Sequence, residues 1–97
     1  MGIKLKPIRE QTIVITGASS GIGLATAMEA ARRGASVVLN SRDEADLDRA
    51  AEEIRNIGGS VTYVVGDVSN PEAMTRLAGA AVDKFGGIDT WVNNAGV

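Results

Sequence analysis

Four short apolar runs alternate along the chain with three longer segments in which apolar residues recur at helical spacing. The runs are continuous and rich in β-branched residues, which is typical of strands covered on both faces of a sheet. They predict strands at residues 11–16, 36–40, 61–65 and 88–93. In the segments between them, apolar positions three and four residues apart predict one helix for each connection.

Capping and glycine signals mark the ends of the three predicted helices. The first, at residues 21–33, is rich in alanine and ends at Gly34, a residue type suited to a left-handed cap. The second and third follow S-x-x-E sequences at residues 41–44 and 69–72, which predict capping boxes, and each stops at a pair of glycines. Their predicted buried faces are Leu47, Ala50, Ala51, Ile54 and Ile57 in one helix, and Met74, Leu77, Ala78, Ala81, Val82 and Phe85 in the other.

The resulting order, β-α-β-α-β-α-β, predicts an α/β fold of the Rossmann type, a doubly wound parallel sheet with right-handed crossovers and helices on both faces. The expected strand order is 3-2-1-4. Ligands of such sheets bind at the carboxyl ends of the strands where the strand order reverses, here between strands 1 and 4. Polar segments at residues 17–23, 67–68 and 93–96 lie at these strand ends. We therefore expect them to form one crevice.

The composition fits one small domain and excludes several classes of function. The chain has 97 residues, of which 44% are hydrophobic and 23% are charged, and we divide it into an N-terminal arm at residues 1–10 and a domain at residues 11–97. No apolar segment approaches the roughly 20 residues of a membrane helix, and no signal sequence is visible, so no membrane association is expected. A net charge of −2 without a basic stripe gives no reason to expect nucleic acid.

Two residue types that often carry chemistry are missing, because the chain has neither cysteine nor histidine. There is consequently no disulfide framework and no thiolate nucleophile, and the cytoplasm is the default compartment. Without histidine, and without a tight cluster of carboxylates, no metal site is expected.

Three glycines lie between a predicted strand and a predicted helix, in the segment Thr16-Gly17-Ala18-Ser19-Ser20-Gly21-Ile22-Gly23. Gly17 would let the chain leave the strand in a tight turn, because glycine adopts positive φ freely. Gly21 would let a pyrophosphate approach the backbone, and Gly23 would let the helix pack closely on the strand. The free N–H groups and the dipole at the start of the helix favour an anion. The alternative is an ordinary glycine-rich turn, which the position between strand and helix disfavours.

Three motifs stand at the ends of predicted strands in a fixed order: TGASSGIG at residues 16–23, Asp67-Val68, and Asn93-Asn94-Ala95-Gly96. Together they resemble the amino-terminal half of a short-chain dehydrogenase/reductase. The resemblance implies that residues 11–97 are a dinucleotide-binding Rossmann domain and that the family fold continues past residue 97. It also implies a parent protein that transfers hydride between NAD(P) and a small-molecule carbonyl or alcohol substrate. We expect this parent to be a cytoplasmic homo-oligomer.

The resemblance assigns cofactor-binding roles to individual residues. The glycine turn would hold the pyrophosphate through backbone groups of Gly17, Ser19, Ser20, Gly21, Ile22 and Gly23. Asp67 would accept a hydrogen bond from the adenine amino group and Val68 would cover the ring; the alternative for Asp67 is a carboxylate that only starts a turn. Asn93, Ala95 and Gly96 would lie beside the cofactor ribose, and Asn93 would also tie strand 4 to the central sheet.

The end of strand 2 distinguishes NADP from NAD, because an acid there binds the ribose 2′-hydroxyl and repels a 2′-phosphate, whereas an arginine pairs with that phosphate. Here Ser41 stands at the acid position and Arg42 follows it, which resembles NADP-preferring members, with Asn40 and Ser41 as neutral donors. We expect NADP, with NAD as the alternative. In that alternative Arg42 is a solvated residue and Ser41 only caps the helix. Asp43 would compete for Arg42, and Ser20 is not the basic residue that some NADP-preferring members carry.

No catalytic residue is expected within these 97 residues. The family uses a Tyr as general acid/base, a Lys four residues later and a Ser, but the one tyrosine, Tyr63, lies in strand 3 and is followed four residues later by Asp67, so it is predicted to pack. The chain would then be the cofactor-binding portion of an oxidoreductase. A non-catalytic nucleotide-sensing module on the same fold is the alternative. Ser41 and Arg42 disfavour a methyltransferase-like domain, and the lack of Lys and Ser/Thr after the glycine turn excludes a P-loop nucleotidase.

Strand 4 has one predicted neighbour within these residues. Its free edge presents unpaired backbone groups that invite pairing with another chain. We therefore expect the 97-residue polypeptide to be marginally stable and to self-associate.

Overall fold

The computed structural model describes residues 6–94. After a 3₁₀ turn at Ile8–Glu10, the elements are β1 (Thr12–Thr16), α1 (Gly21–Arg32), β2 (Ser36–Ser41), α2 (Glu44–Asn56), β3 (Ser60–Val65), α3 (Pro71–Phe85) and β4 (Thr90–Asn93). The three helices contain 12, 13 and 15 residues. Within residues 6–94, none of them has the length and the apolar character that crossing a bilayer requires.

The four strands form one parallel sheet in the order β3-β2-β1-β4. β1 pairs on both sides, so that Ile15 lies opposite Leu39 of β2 and Val92 of β4. The predicted α/β class, the parallel sheet and the strand order are all confirmed. Because all four strands are parallel, the loops that follow β1, β2 and β3 leave the sheet at one edge, and the reversal of strand order between β1 and β4 opens a crevice there.

Alternate residues of the two central strands face opposite sides of the sheet. Ile13 and Ile15 pack with α1 and α2, whereas Val14 and Val38 pack with α3. β1 is buried along its whole length, and β2 is buried except at its two end residues. This burial on both faces is the reason that the two strands are continuous apolar runs in the sequence.

Two residues that the helical spacing places in the core are exposed. Ile57 is 45% exposed because α2 ends at Asn56, so that Ile57 lies beyond the last helical residue. Val82 is 52% exposed, whereas the neighbouring Ala81 is fully buried. Successive helical residues are rotated by about 100°, so Val82 lies past the stripe of α3 that contacts the sheet.

The capping residues of α2 and α3 differ from the predicted ones. Asp43 caps α2 by accepting from the Asp46 N–H at 3.0 Å, and Asn70 caps α3 by accepting from the Glu72 N–H at 2.8 Å. The S-x-x-E pattern failed at residue 41 because β2 extends to Ser41, which leaves the turn and the cap to the two residues that follow. At the end of α1 the prediction is confirmed, since Gly34 is left-handed with φ of +94°.

Candidate functional site

A cleft of about 540 Å³ lies at the carboxyl ends of β1, β2 and β3. Its lining comes from the loops after these three strands: Gly17, Asn40, Ser41, Arg42, Asp43, Gly66, Asp67, Val68 and Ser69. The structure therefore brings together the first glycine of the glycine turn, the end of β2 and the Asp67-Val68 pair. Three lining residues, at positions 43, 66 and 69, were not singled out as site residues from the sequence, although each lies within four residues after a strand.

The first turn of α1 packs closely against Gly17, the first glycine of the glycine turn. Gly17 and Gly21 have φ of +60° and +58°, a backbone conformation that favours glycine. A Cβ on Gly23 would lie 2.0 Å from the Gly17 carbonyl oxygen, so a side chain there is incompatible with this path. A Cβ on Gly21 would meet no atom within 4 Å, which leaves the approach to this part of the backbone open.

The N-terminus of α1 differs from those of the other two helices. Asp43 and Asn70 cap α2 and α3 with their side chains, whereas Ser20, at the cap position of α1, makes no side-chain capping hydrogen bond. No acidic residue occupies the first turn of α1. The dipole and the first N–H groups of this helix are therefore available to an anion from outside. Ile22, in the same turn, is 77% exposed.

Asn40 takes a position other than the predicted one. It was expected to donate to the cofactor, but its side chain is fully buried, and Nδ2 donates to the carbonyl oxygens of Val64 at 3.0 Å and Gly66 at 3.2 Å. Its donors thus hold β3 and the residue after it. Asn40 is among the residues that line the cleft.

The two residues after Asn40 face the cleft with a hydroxyl and a guanidinium. Ser41 Oγ lies 2.9 Å from Ser19 Oγ of the glycine turn and accepts from the Asp43 N–H at 3.2 Å. The Arg42 side chain is 81% exposed, and its Nη1 lies 3.9 Å from Asp67 Oδ2. Asp43, the expected competitor for Arg42, directs its carboxylate to the cap of α2 instead.

Asp67 uses one carboxylate oxygen to build its own turn. Oδ1 accepts from both the N–H and the hydroxyl of Ser69, each at 2.8 Å. These hydrogen bonds, aided by the positive charge of Arg42, lower the pKa of the Asp67 carboxyl from its ordinary value. The residue is therefore ionised at neutral pH. Oδ1 has the turn role that was the alternative for this residue, and Oδ2 faces Arg42.

The end of β4 is tied to the end of β1. Thr16 Oγ1 donates to Asn93 Oδ1 at 2.8 Å, and the Asn94 N–H donates to Thr16 Oγ1 at 3.1 Å. Asn93 thus has the structural role expected of it, and its place beside a ribose stays a prediction. Ala95 and Gly96 lie outside the described residues.

The described residues that line the cleft include a guanidinium, a carboxylate and hydroxyls, all of which are groups suited to binding. Tyr63 packs on the core beside α2, as predicted, and its hydroxyl donates to Asp48; this hydrogen bond raises the pKa of the phenol. Among residues 6–94 there is no group of three or more side chains that could hold a metal ion. The polar groups of the cleft include the Ser41 hydroxyl, the Arg42 guanidinium and the Asp67 carboxylate, and the uncapped N-terminus of α1 follows the glycine turn that begins at Gly17.

Comparisons of this sequence with a family model and with individual proteins both identify dehydrogenases or oxidoreductases. The sequence model for short chain dehydrogenase matches residues 11–97. The chain is 48% identical over 95 residues to the uncharacterized oxidoreductase YxnA of Bacillus subtilis and 43% identical over 93 residues to the L-rhamnose 1-dehydrogenase (NAD(P)(+)) of Azotobacter vinelandii. These matches cover 98% and 91% of this chain, but 27% and 36% of the two relatives.

A solved structure with the same fold has bound ligands. It is the L-sorbose reductase of Gluconobacter frateurii complexed with NADPH and L-sorbose, with a TM-score of 0.85 and 42% identity. The match covers 90% of this chain and 34% of the reductase. The chain thus spans about a third of the length of the proteins it matches.

Proposed function

The chain belongs to the short-chain dehydrogenase family, and from this we propose that its cleft binds the adenosine half of a nicotinamide dinucleotide, with NADP preferred over NAD. In this proposal the chain is the cofactor-binding portion of an NAD(P)-dependent oxidoreductase. A bound nicotinamide supplies the hydride chemistry, and the residues described here bind and orient the cofactor.

The observation that carries the preference for NADP is the pair of residues at the end of β2. Ser41 occupies the position of the acid that would repel a 2′-phosphate, and the exposed Arg42 guanidinium stands at the mouth of the cleft. The contact of Arg42 with Asp67 is long and solvent-exposed on both sides, so it is weak. The guanidinium is therefore free to form two parallel hydrogen bonds with a phosphate.

The glycine turn fits the diphosphate of the cofactor. The N-terminus of α1 has no side-chain cap and no acid in its first turn, and the backbone around Gly21 is open. Backbone N–H groups and a positive helix end are the usual protein contacts of a dinucleotide phosphate. We assign this contact to Gly17, Ser19, Ser20, Gly21, Ile22 and Gly23.

The adenosine would lie between the ends of β2 and β3. Asp67 and Val68 both line the cleft. Asp67 Oδ2 would accept from the adenine amino group, and Val68 would offer an apolar surface to the ring. The Ser41 hydroxyl and Arg42 would meet the ribose 2′-phosphate. Asn93, with Ala95 and Gly96, would lie beside the other ribose.

Replacement of Arg42 tests the assignment of NADP. Adenosine 2′,5′-bisphosphate and AMP differ by the 2′-phosphate, and each can be titrated by calorimetry. Hydrogen bonds to a charged group contribute about 1.5–3 kcal/mol, so Arg42→Ala is expected to weaken the bisphosphate by about tenfold to a hundredfold. Its affinity for AMP is expected to stay within about twofold, because AMP lacks the group that Arg42 contacts.

Arg55→Ala is the matched control, because it removes the same charge from the last turn of α2, at the far end of that helix from the cleft. It should leave the affinities for both ligands nearly unchanged. Equal affinity of the unmodified protein for AMP and for the bisphosphate would refute the preference for NADP. Failure to bind either ligand would refute the dinucleotide site.

Oxidoreductase activity is proposed for a polypeptide that carries this sequence together with the family's Tyr-x-x-x-Lys pair, with a small-molecule carbonyl or alcohol as substrate and a homo-oligomer as the assembly. The NADPH bound to the sorbose reductase and the cofactor in the name of the rhamnose dehydrogenase support this. Consumption of NADPH with a carbonyl substrate is the expected result. Binding of the bisphosphate without any turnover would favour the sensing module instead.

A further inference from the structure

Asn40 contacts two of the loops that form the cleft. Its backbone carbonyl accepts from the Ala18 N–H of the glycine turn at 3.0 Å. Its side-chain Nδ2 donates to the carbonyl oxygens of Val64 and Gly66, at 3.0 and 3.2 Å. β2 ends at Ser41, so the loop that follows β2 begins two residues after Asn40. Asn40, which is fully buried, thus lies close to the points where the three loops leave the sheet.

The hydrogen bond to Gly66 completes a clamp on the peptide that precedes Asp67. The Gly66 N–H donates to the Ser41 carbonyl at 2.9 Å, and the Gly66 carbonyl accepts from Asn40. On the other side, α3 closes the space, because a Cβ on Gly66 would lie 2.7 Å from the Ala73 Cβ. The turn that carries Asp67 therefore starts from a point held by β2 and by α3.

The arrangement has a cost to stability that an apolar side chain would avoid. Asn40 Oδ1 is buried and has no hydrogen-bond partner among the described residues. An unpaired buried acceptor offsets a large part of what the two donated hydrogen bonds contribute. The net effect of the side chain on the free energy of unfolding is therefore small, and its larger effect is to fix the geometry of the turn.

We infer that Asn40 is a positioning residue for the adenine end of the cleft, acting through the turn at residues 66–69. This inference rests on the proposed function, since it gives a purpose to the placement of Asp67 and Val68. Asn40→Val removes the side-chain hydrogen bonds and keeps a residue suited to a buried strand. It leaves intact the hydrogen bond from the Ala18 N–H to the backbone carbonyl of residue 40. The glycine turn, which is the proposed diphosphate site, therefore keeps this contact.

Amide hydrogen exchange tests the inference without any ligand. In Asn40→Val the amides of Gly66 and Asn70 are expected to exchange at least about tenfold faster, whereas the Gly86 amide, at the far end of α3, keeps its rate. Ile54→Val is the control, because it lowers global stability from the core beneath α2. Equal acceleration of the Gly66 and Asn70 amides in the two variants would overturn the inference.

Ligand binding gives the second readout. Asn40→Val is expected to lower the affinity for AMP by about tenfold while leaving the affinity for inorganic pyrophosphate unchanged, a split that a general loss of stability does not produce. Unchanged AMP affinity would overturn the inference and leave the proposed function standing. If the unmodified protein binds neither probe, the proposed function fails, and the exchange rates still decide the role of Asn40.

A second variant covers the case in which Asn40→Val does not fold. Gly66→Ala pushes the same turn away from Ala73 while leaving the Asn40 side chain in place. The Asn70 amide is expected to exchange faster and AMP to bind more weakly in this variant also. Unchanged exchange and binding would show that the position of this turn is not set by the clamp.

Discussion

At the scale of single residues, Gly23 illustrates how closely the backbone of the glycine turn is packed. The Gly17 carbonyl oxygen occupies the space that a Cβ at residue 23 would need, at a separation of 2.0 Å. The clash is with backbone and not with the movable end of a side chain, so it cannot be relieved by a rotamer change. The close contact between the start of α1 and Gly17 therefore requires glycine at residue 23.

Gly23→Ala is expected to lower the free energy of unfolding by about 1–3 kcal/mol, the usual cost of overpacking. The matched control is Gly79→Ala in α3, where a Cβ would meet no atom within 4 Å. That variant is expected to gain up to about 1 kcal/mol from helix propensity. Denaturant midpoints of the two variants should move in opposite directions. A shift of both in the same direction would contradict the steric account of Gly23.

At the scale of elements, the helices differ in how their N-termini are satisfied. α2 and α3 have side-chain caps from Asp43 and Asn70, whereas the N-terminus of α1 has none and faces the glycine turn. A capped helix end satisfies its own donors, and an uncapped one leaves them to a ligand. This contrast indicates that the side-chain caps stabilise the ends of α2 and α3, and it supports the proposed phosphate contact at the end of α1.

Replacement of Asn70 tests the placement of the cap on α3. Loss of the acceptor in Asn70→Ala is expected to cost about 1 kcal/mol of unfolding free energy. Asn70→Asp keeps an acceptor and adds a charge that favours the helix N-terminus, so its stability should be close to that of the unmodified protein. Thermal or denaturant unfolding measures both variants. Unchanged stability of Asn70→Ala would contradict the cap at Asn70.

At the scale of the whole molecule, the two edges of the sheet have different surroundings. β4 borders an apolar groove of about 630 Å³ whose lining includes Ile13, Ile22 and Val92. Ile22 is 77% exposed and Trp91 on β4 is 39% exposed. An edge strand beside exposed apolar side chains is a template for pairing with another chain. At the opposite edge, formed by β3, the Tyr63 hydroxyl donates a hydrogen bond to Asp48 of α2.

The 97-residue polypeptide is therefore expected to self-associate through β4, and Trp91→Lys is expected to shift it toward the monomer, because a lysine on an edge strand opposes strand pairing. Thr62→Lys, which places the same charge on β3, should leave the association unchanged. Sedimentation over a concentration series measures both variants. A monomeric unmodified polypeptide with a sharp thermal transition that does not depend on concentration would refute the expectation.

The order of the elements, the class of fold and the strand order could all be predicted from the sequence. The reason is that hydrophobic period and glycine punctuation act locally, and the handedness of parallel crossovers leaves few arrangements of four strands. The convergence of the glycine turn, Arg42 and Asp67 on one edge follows from that topology alone. These features depend on which residue types follow one another and not on where single side chains point.

The hydrogen-bond partners of individual polar side chains could not be predicted from the sequence, because they depend on the three-dimensional structure. Whether Asn40 points into the cleft or into its wall depends on the register of β2 against β3, which places Val64 and Gly66 within reach of its amide. β2 extends one residue beyond its predicted end, to Ser41, and the cap of α2 is therefore Asp43. Arg42, between these two residues, lies near Asp67. Such outcomes depend on displacements of a single residue. The central strands are buried on both faces, so their continuous apolar runs do not specify register, and helical periodicity does not define a helix end to within one residue.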